Sequence, residues 1–102
     1  MKIKTGQTIY ENVLSFDNLN NPITGATFDT QMFKNGVLFT GITVSETLSD
    51  STRALFLFSW SASTLGDYQL YVNNNTTTVL FMSDTYSVVS DDEANMTVYV
   101  GL

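Results

Sequence analysis

Ala26-Thr27-Phe28-Asp29-Thr30-Gln31-Met32-Phe33-Lys34-Asn35-Gly36-Val37 reads as a strand that runs into a tight turn. Over Ala26 to Phe33 the side chains alternate. Ala26, Phe28, Thr30 and Met32 fall on one face; Thr27, Asp29, Gln31 and Phe33 fall on the other. Asn35-Gly36 between two apolar runs is the strongest local hairpin signal, because both residues tolerate the positive φ that a two-residue turn needs. The return strand is expected over about Val37 to Glu46, with Gly41 marked for a bulge.

Working outward, the same pattern repeats with no segment of 3.6-residue period. Upstream, a strand is expected over Thr8 to Phe16, with Tyr10, Leu14 and Phe16 on one face and Asn12 the odd member. Residues 17 to 22 are a loop by composition, and Pro22 precedes a strand because it cannot donate to a ladder. Downstream, Thr47 to Thr52 reads as a polar loop. Ala54 to Trp60 is almost continuously apolar, so both its faces are expected to be covered, in a central strand or against a partner subunit. Ala62 to Gly66 is a turn. Asp67 to Val72 alternates with Tyr68, Leu70 and Val72 inward. Asn73-Asn74-Asn75 is a second tight connection, and Thr76 to Val89 supplies one long strand or two, with the break at Ser83-Asp84. After an acidic turn at Ser90-Asp91-Asp92-Glu93, the run Met96-Thr97-Val98-Tyr99-Val100 alternates again.

The reading is therefore all-β: one domain over residues 1–102, with 90–102 a C-terminal strand that closes the domain's own sheet or pairs with a neighbour. The length suits one domain and one core: 102 residues, 43% hydrophobic, with seven Phe, five Tyr and one Trp. Charged residues are only 14%, and Ser, Thr and Asn fill the polar positions, a palette suited to strands and turns.

Several function classes are excluded by what the chain lacks. With no cysteine and no histidine there can be no disulfide, no zinc site of the Cys/His kind and no Ser-His-Asp or Cys-His nucleophile. A net charge of −6 with four basic residues repels a phosphate backbone and an anionic membrane surface alike. Met1 to Gly6 carries no apolar signal-peptide core, and no stretch reaches membrane-spanning length, so synthesis and assembly in a cytoplasm are expected. The ten acids are expected on solvated loops and not as a facing catalytic pair. Asp91-Asp92-Glu93 lacks the spacing of a calcium loop and is taken as a solvated turn. Asn74-Asn75-Thr76-Thr77 and Asn95-Met96-Thr97 hold glycosylation sequons that an Asn/Thr-rich chain produces by chance. No enzyme, cofactor or metal is expected.

Thr64-Leu65-Gly66-Asp67-Tyr68-Gln69-Leu70 resembles the Gly-x-Tyr-x-Φ run that leads into strand F of immunoglobulin-like domains. Asn21-Pro22-Ile23-Thr24-Gly25-Ala26 is similar to a Pro-Φ-Thr-Gly-Ala opening of bacterial and phage immunoglobulin-like modules. Together the residues from about Gly6 to Val89 resemble the immunoglobulin-like domains of bacteriophage virion proteins. The chain departs from antibody domains in lacking both cysteines, with Leu70 at the second cysteine's place, and in carrying Trp60 late, on the strand before the corner.

The resemblance implies an immunoglobulin-like β-sandwich of about seven to nine strands. In it Gly66 and Tyr68 form a tyrosine corner whose hydroxyl bonds back across the turn. It also implies a non-enzymatic virion component such as a capsid decoration, head-fibre or tail-associated protein. Such a protein is present in several copies, docks on other virion proteins and is assembled in the host cytoplasm. The contact residues expected on this reading are those of the terminal arms: Ile3, Met96, Val98, Tyr99 and Val100. The alternative is a carbohydrate-binding or cell-surface adhesion module, with Tyr71, Phe81, Tyr86 and Tyr99 as candidates for an aromatic platform.

Overall fold

A computed structural model of the chain describes residues 1–90. Among them are nine strands: β1 (Lys2–Lys4), β2 (Ile9–Leu14), β3 (Phe28–Lys34), β4 (Val37–Phe39), β5 (Ser45–Asp50), β6 (Leu55–Trp60), β7 (Gly66–Asn74), β8 (Val79–Met82) and β9 (Tyr86–Val89). They form two sheets that pack as a sandwich. The larger is ordered β1-β9-β7-β3-β4, with β8 also pairing β7; the smaller is ordered β2-β6-β5. In chain order this is the immunoglobulin arrangement. The second, sixth and fifth strands make one layer, and the third, fourth, seventh and last make the other. β1 joins the larger sheet by running parallel to β9, which leaves β2 at an edge of the smaller one.

The β3–β4 hairpin closes with Lys34 opposite Val37. Its two turn residues are Asn35 at φ 53° and Gly36 at φ 80°, the left-handed pair that matches the twist of the flanking strands. β7 lies at the centre of the larger sheet. Its inward Tyr68, Leu70 and Val72 are fully buried, and they meet the inward Phe56, Phe58 and Trp60 of β6 in one hydrophobic core. Phe28 joins the layers edge-on, 4.7 Å from Phe56 and 5.2 Å from Phe58 between ring centroids. Trp60 lies 5.8 Å from Tyr68 and 5.9 Å from Tyr86.

Polar bonds link the layers at three places. Asn74, buried at the end of β7, donates from Nδ2 to Ser15 Oγ at 2.9 Å; its Oδ1 accepts the backbone N–H groups of Thr76 and Thr77 in the β7–β8 turn. Tyr86 donates to Glu11 Oε1 at 2.5 Å. Gly6 donates its backbone N–H to the carbonyl of Ala62 at 2.8 Å.

Three sequence expectations are corrected. The long return strand after Asn35-Gly36 is cut short. β4 ends at Phe39, and the chain then crosses to the other layer, with Phe39, Ile42 and Val44 packed against the core. Gly41 is therefore on the crossover and forms no bulge; a Cβ there would stand 2.6 Å from the Phe39 ring. The polar loop expected over Thr47 to Thr52 is largely the edge strand β5, which buries neither face and so carries no alternation to read. Ile3, expected in an interface, is only 3% exposed: it pairs with Val88 and belongs to the core. The chain from Thr76 to Val89 is two strands, parted at residues 83–85.

Candidate functional site

The corner residues are architectural. Tyr68 donates its hydroxyl to the carbonyl of Thr64 at 3.0 Å and lies 2.7 Å from Thr64 Oγ1. Lys34 Nζ donates to the same Oγ1 at 2.9 Å, above the rings of Phe39 and Tyr68. Gly66 has φ +153°, a backbone conformation that favours glycine, and a Cβ on it would come within 2.9 Å of Lys34 Cε and push that side chain aside. Asn35 ties the hairpin turn to β7 twice: its N–H donates to the Asp67 carbonyl, and its Oδ1 accepts the Asp67 N–H.

Among the described residues the two broad exposed surfaces are the outer faces of the sheets. On the smaller sheet the cross-strand rows are Tyr10–Ser59–Ser45, Asn12–Leu57–Thr47 and Leu14–Leu55–Asp50. Tyr10, Leu14 and Phe16 do share one face, as expected, and it is the solvent side, at 60%, 50% and 49% exposure. The core side of β2 carries Ile9, Val13 and the half-buried Glu11. Leu55 and Leu57 on the central strand are half-buried, with no layer above them among the described residues. At one end Leu14, Phe16, Pro22 and Arg53 line an open cleft of about 290 Å³. Arg53 is fixed there by Asp50, Nε to Oδ2 at 2.8 Å. That side-chain bond, with the backbone N–H groups of Arg53 and Thr52, lowers the Asp50 pKa.

On the larger sheet the outer rows are Asp29–Asn73–Leu80, Gln31–Tyr71–Met82 and Leu38–Phe33–Gln69. Tyr71 and Phe33 stand diagonally across β3 and β7, with ring centroids 4.6 Å apart and planes tilted by 47°. The four aromatics named as a platform in the sequence are not brought together. Tyr71 is outside, Phe81 packs against the core, Tyr86 is buried, and Tyr99 lies outside the described residues. Phe33, the true neighbour of Tyr71, was legible only as one member of an alternating set; the cross-strand register that joins the two is not written locally.

Met96, Val98, Tyr99 and Val100, the acidic turn at 91–93 and the sequon at Asn95 also lie outside the described residues. Of the sequon residues at the β7–β8 turn, Asn74 is 3% exposed with its amide bonded to Ser15, Thr76 and Thr77, whereas Asn75 is exposed. Among the described residues no group of three or more Asp, Glu, His or Cys side chains gathers as a metal site would require, and no helix is long and apolar enough to cross a membrane. No protein-family model matches the chain, and a search of curated proteins returned no match.

Proposed function

We propose that this protein is a non-enzymatic structural module of a bacteriophage virion, docking in several copies on capsid or tail subunits. The observation that carries the docking is the outer face of the smaller sheet. Tyr10, Leu14 and Phe16 are about half exposed beside Leu55 and Leu57, and an apolar face of this kind fits a partner surface better than water. Its polar neighbours, Asn12, Ser45, Thr47 and Ser59 with the Asp50–Arg53 pair at one edge, suit an interface with an apolar centre and a polar rim. The virion assignment is supported by the resemblance of Asn21 to Ala26 to an opening of bacterial and phage immunoglobulin-like modules, by the immunoglobulin-type Gly66-Asp67-Tyr68 run, and by the absence of cysteine.

The test is immunogold labelling of particles purified from the source that encodes the chain, paired with Leu57→Asp. Regular label on particles, lost when Leu57→Asp replaces the native chain although the isolated variant melts as a folded domain, is the expected result. Particles without the chain overturn the virion reading. Full incorporation of Leu57→Asp overturns the docking face.

A further inference from the structure

We propose that the outer face of the larger sheet is a binding site for a neutral oligosaccharide, with a sugar ring stacked on Tyr71. The face lies on the opposite side of the sandwich from the docking surface, so the two readings stand or fall separately.

The geometry comes from the register of β3 against β7. Tyr71 is opposite Gln31, Asp29 is opposite Asn73, and Phe33 is opposite Gln69. The ring of Tyr71 is the shared wall of two open clefts. One, of about 320 Å³, is lined by Asp29, Gln31, Asn73 and Leu80; the other, of about 300 Å³, by Phe33, Gly36, Asp67, Gln69 and Thr85. Phe33 braces the tyrosine from one side, which limits its rotation before any ligand arrives.

The polar groups around the rings hold spare bonding capacity. Among the described residues the side chains of Asp29, Gln31 and Tyr71 have no hydrogen-bond partner. Asn73 uses Nδ2 on Asn75 Oδ1, and Gln69 uses Nε2 on the Ser83 carbonyl, leaving both amide oxygens as acceptors. A pyranose offers a flat C–H face and a rim of vicinal hydroxyls, each able to donate and accept. The C–H face matches an aromatic ring. The hydroxyls match a carboxylate with two acceptor oxygens and an amide with one donor end and one acceptor end. No Lys or Arg lines either cleft, while Asp29 and Asp67 do. That charge disfavours uronates, sialylated glycans and phosphates, and selects uncharged sugars. The face also carries exposed Leu38, Leu80 and Met82 at its outer strands; a protein partner that covered them would have to desolvate the Asp29 carboxylate and the amides of Gln31, Gln69 and Asn73 as well, which a sugar's hydroxyls instead satisfy.

The experiment is a titration of the full ¹⁵N-labelled chain with cellohexaose, maltohexaose and mannohexaose, with polygalacturonate as the anionic control. At least one neutral hexaose is expected to shift amides of residues 29–33 and 69–73 at concentrations of about 1 mM, leaving β2 and β6 unmoved. Tyr71→Ala should weaken that binding by about tenfold or more, and Gln31→Ala by several-fold, as loss of a stacking ring and of one polar contact would. Gln31 is exposed, so its variant keeps the test open should Tyr71→Ala fold poorly. Three outcomes overturn the proposal. None of the three neutral sugars shifts those residues; polygalacturonate binds as well as they do; or the shifts appear on concentrating the chain alone, which would make the face a self-association surface.

Discussion

The two outer faces of this sandwich are built on the same alternation and differ in chemistry. Over the smaller sheet the outward positions are Tyr10, Leu14, Leu55 and Leu57, relieved by Asn12, Ser45, Thr47, Ser59 and, at one edge, Asp50. Over the larger sheet they are Phe33 and Tyr71 set among Asp29, Gln31, Gln69 and Asn73, with Leu38, Leu80 and Met82 on the outer strands. The first can offer a partner desolvated area and little direction. The second offers rings with amides and a carboxylate along β3 and β7 and apolar side chains on the outer strands, which suits a small polar ligand of defined shape. Inward, the contrast vanishes: Phe56, Phe58 and Trp60 face Tyr68, Leu70 and Val72 in one aromatic-rich core. The inward faces hold the fold together, and the outward faces are free to differ.

That division is most easily broken on β6, where neighbours point opposite ways. Phe58 is fully buried, so Phe58→Ala is expected to lower unfolding free energy by about 3–5 kcal/mol in chemical denaturation. A loss under 1 kcal/mol would mean that the inward face is not the core. Next in size is Asn74→Ala. It removes the bond to buried Ser15 and uncaps two turn amides, for an expected loss of about 2 kcal/mol. Asn74→Asp should recover part of it, since a carboxylate can still accept from Thr76 and Thr77.

The layer-to-layer bond of Tyr86 makes a pH prediction. Burial, then its hydrogen bond to Glu11 and the charges of Glu11 and Asp84, push its pKa up from 10.0 to about 12. The unfolded phenol ionises first. Its contribution to stability is therefore complete below pH 10 and is lost as pH rises from 10 to about 12. Thermal melts across that window should fall more steeply for the native chain than for Tyr86→Phe. Equal slopes would show that Tyr86 does not hold its proton across the sandwich.

How much of this was legible in the sequence depended on whether a pattern was local. The Asn35-Gly36 turn, the inward set of β7 and the parting at residues 83–85 are written in neighbouring residues and emerge as read. β5 was missed because Ser45 to Asp50 buries nothing, and an edge strand without a core face has no period. The crossover after Phe39 was missed because a long alternating run and a strand that leaves its sheet look alike until the second layer is placed. Ile3 was misassigned for a related reason: two flanking lysines suggest an exposed arm, but alternation hides the middle residue against the core. The Phe33–Tyr71 pair depends on the register of strands 38 residues apart, and no local signal carries that.

A smaller effect is expected at the β7–β8 turn. Thr78 holds φ 61°, a left-handed conformation that a β-branched residue adopts only under strain. Its hydroxyl bonds only the neighbouring Thr77 carbonyl, so Thr78→Gly should raise stability by up to about 1 kcal/mol.

The smallest expected change returns to the contrast between the faces. Leu57→Ser sits one residue from Phe58 yet points out of the sandwich, half-buried between its row neighbours Asn12 and Thr47. Serine can bond to water there, and little contact is lost, so the dilute chain should unfold within about 0.5 kcal/mol of the native protein. If the face exists to be covered, the substitution acts only when a partner is present. Light scattering at rising concentration, or binding to purified particles, should then separate the two chains while melting does not. A large loss of stability in the dilute monomer would place Leu57 in the core's energetics, and the contrast between an inward face that folds and an outward face that docks would fail on this strand.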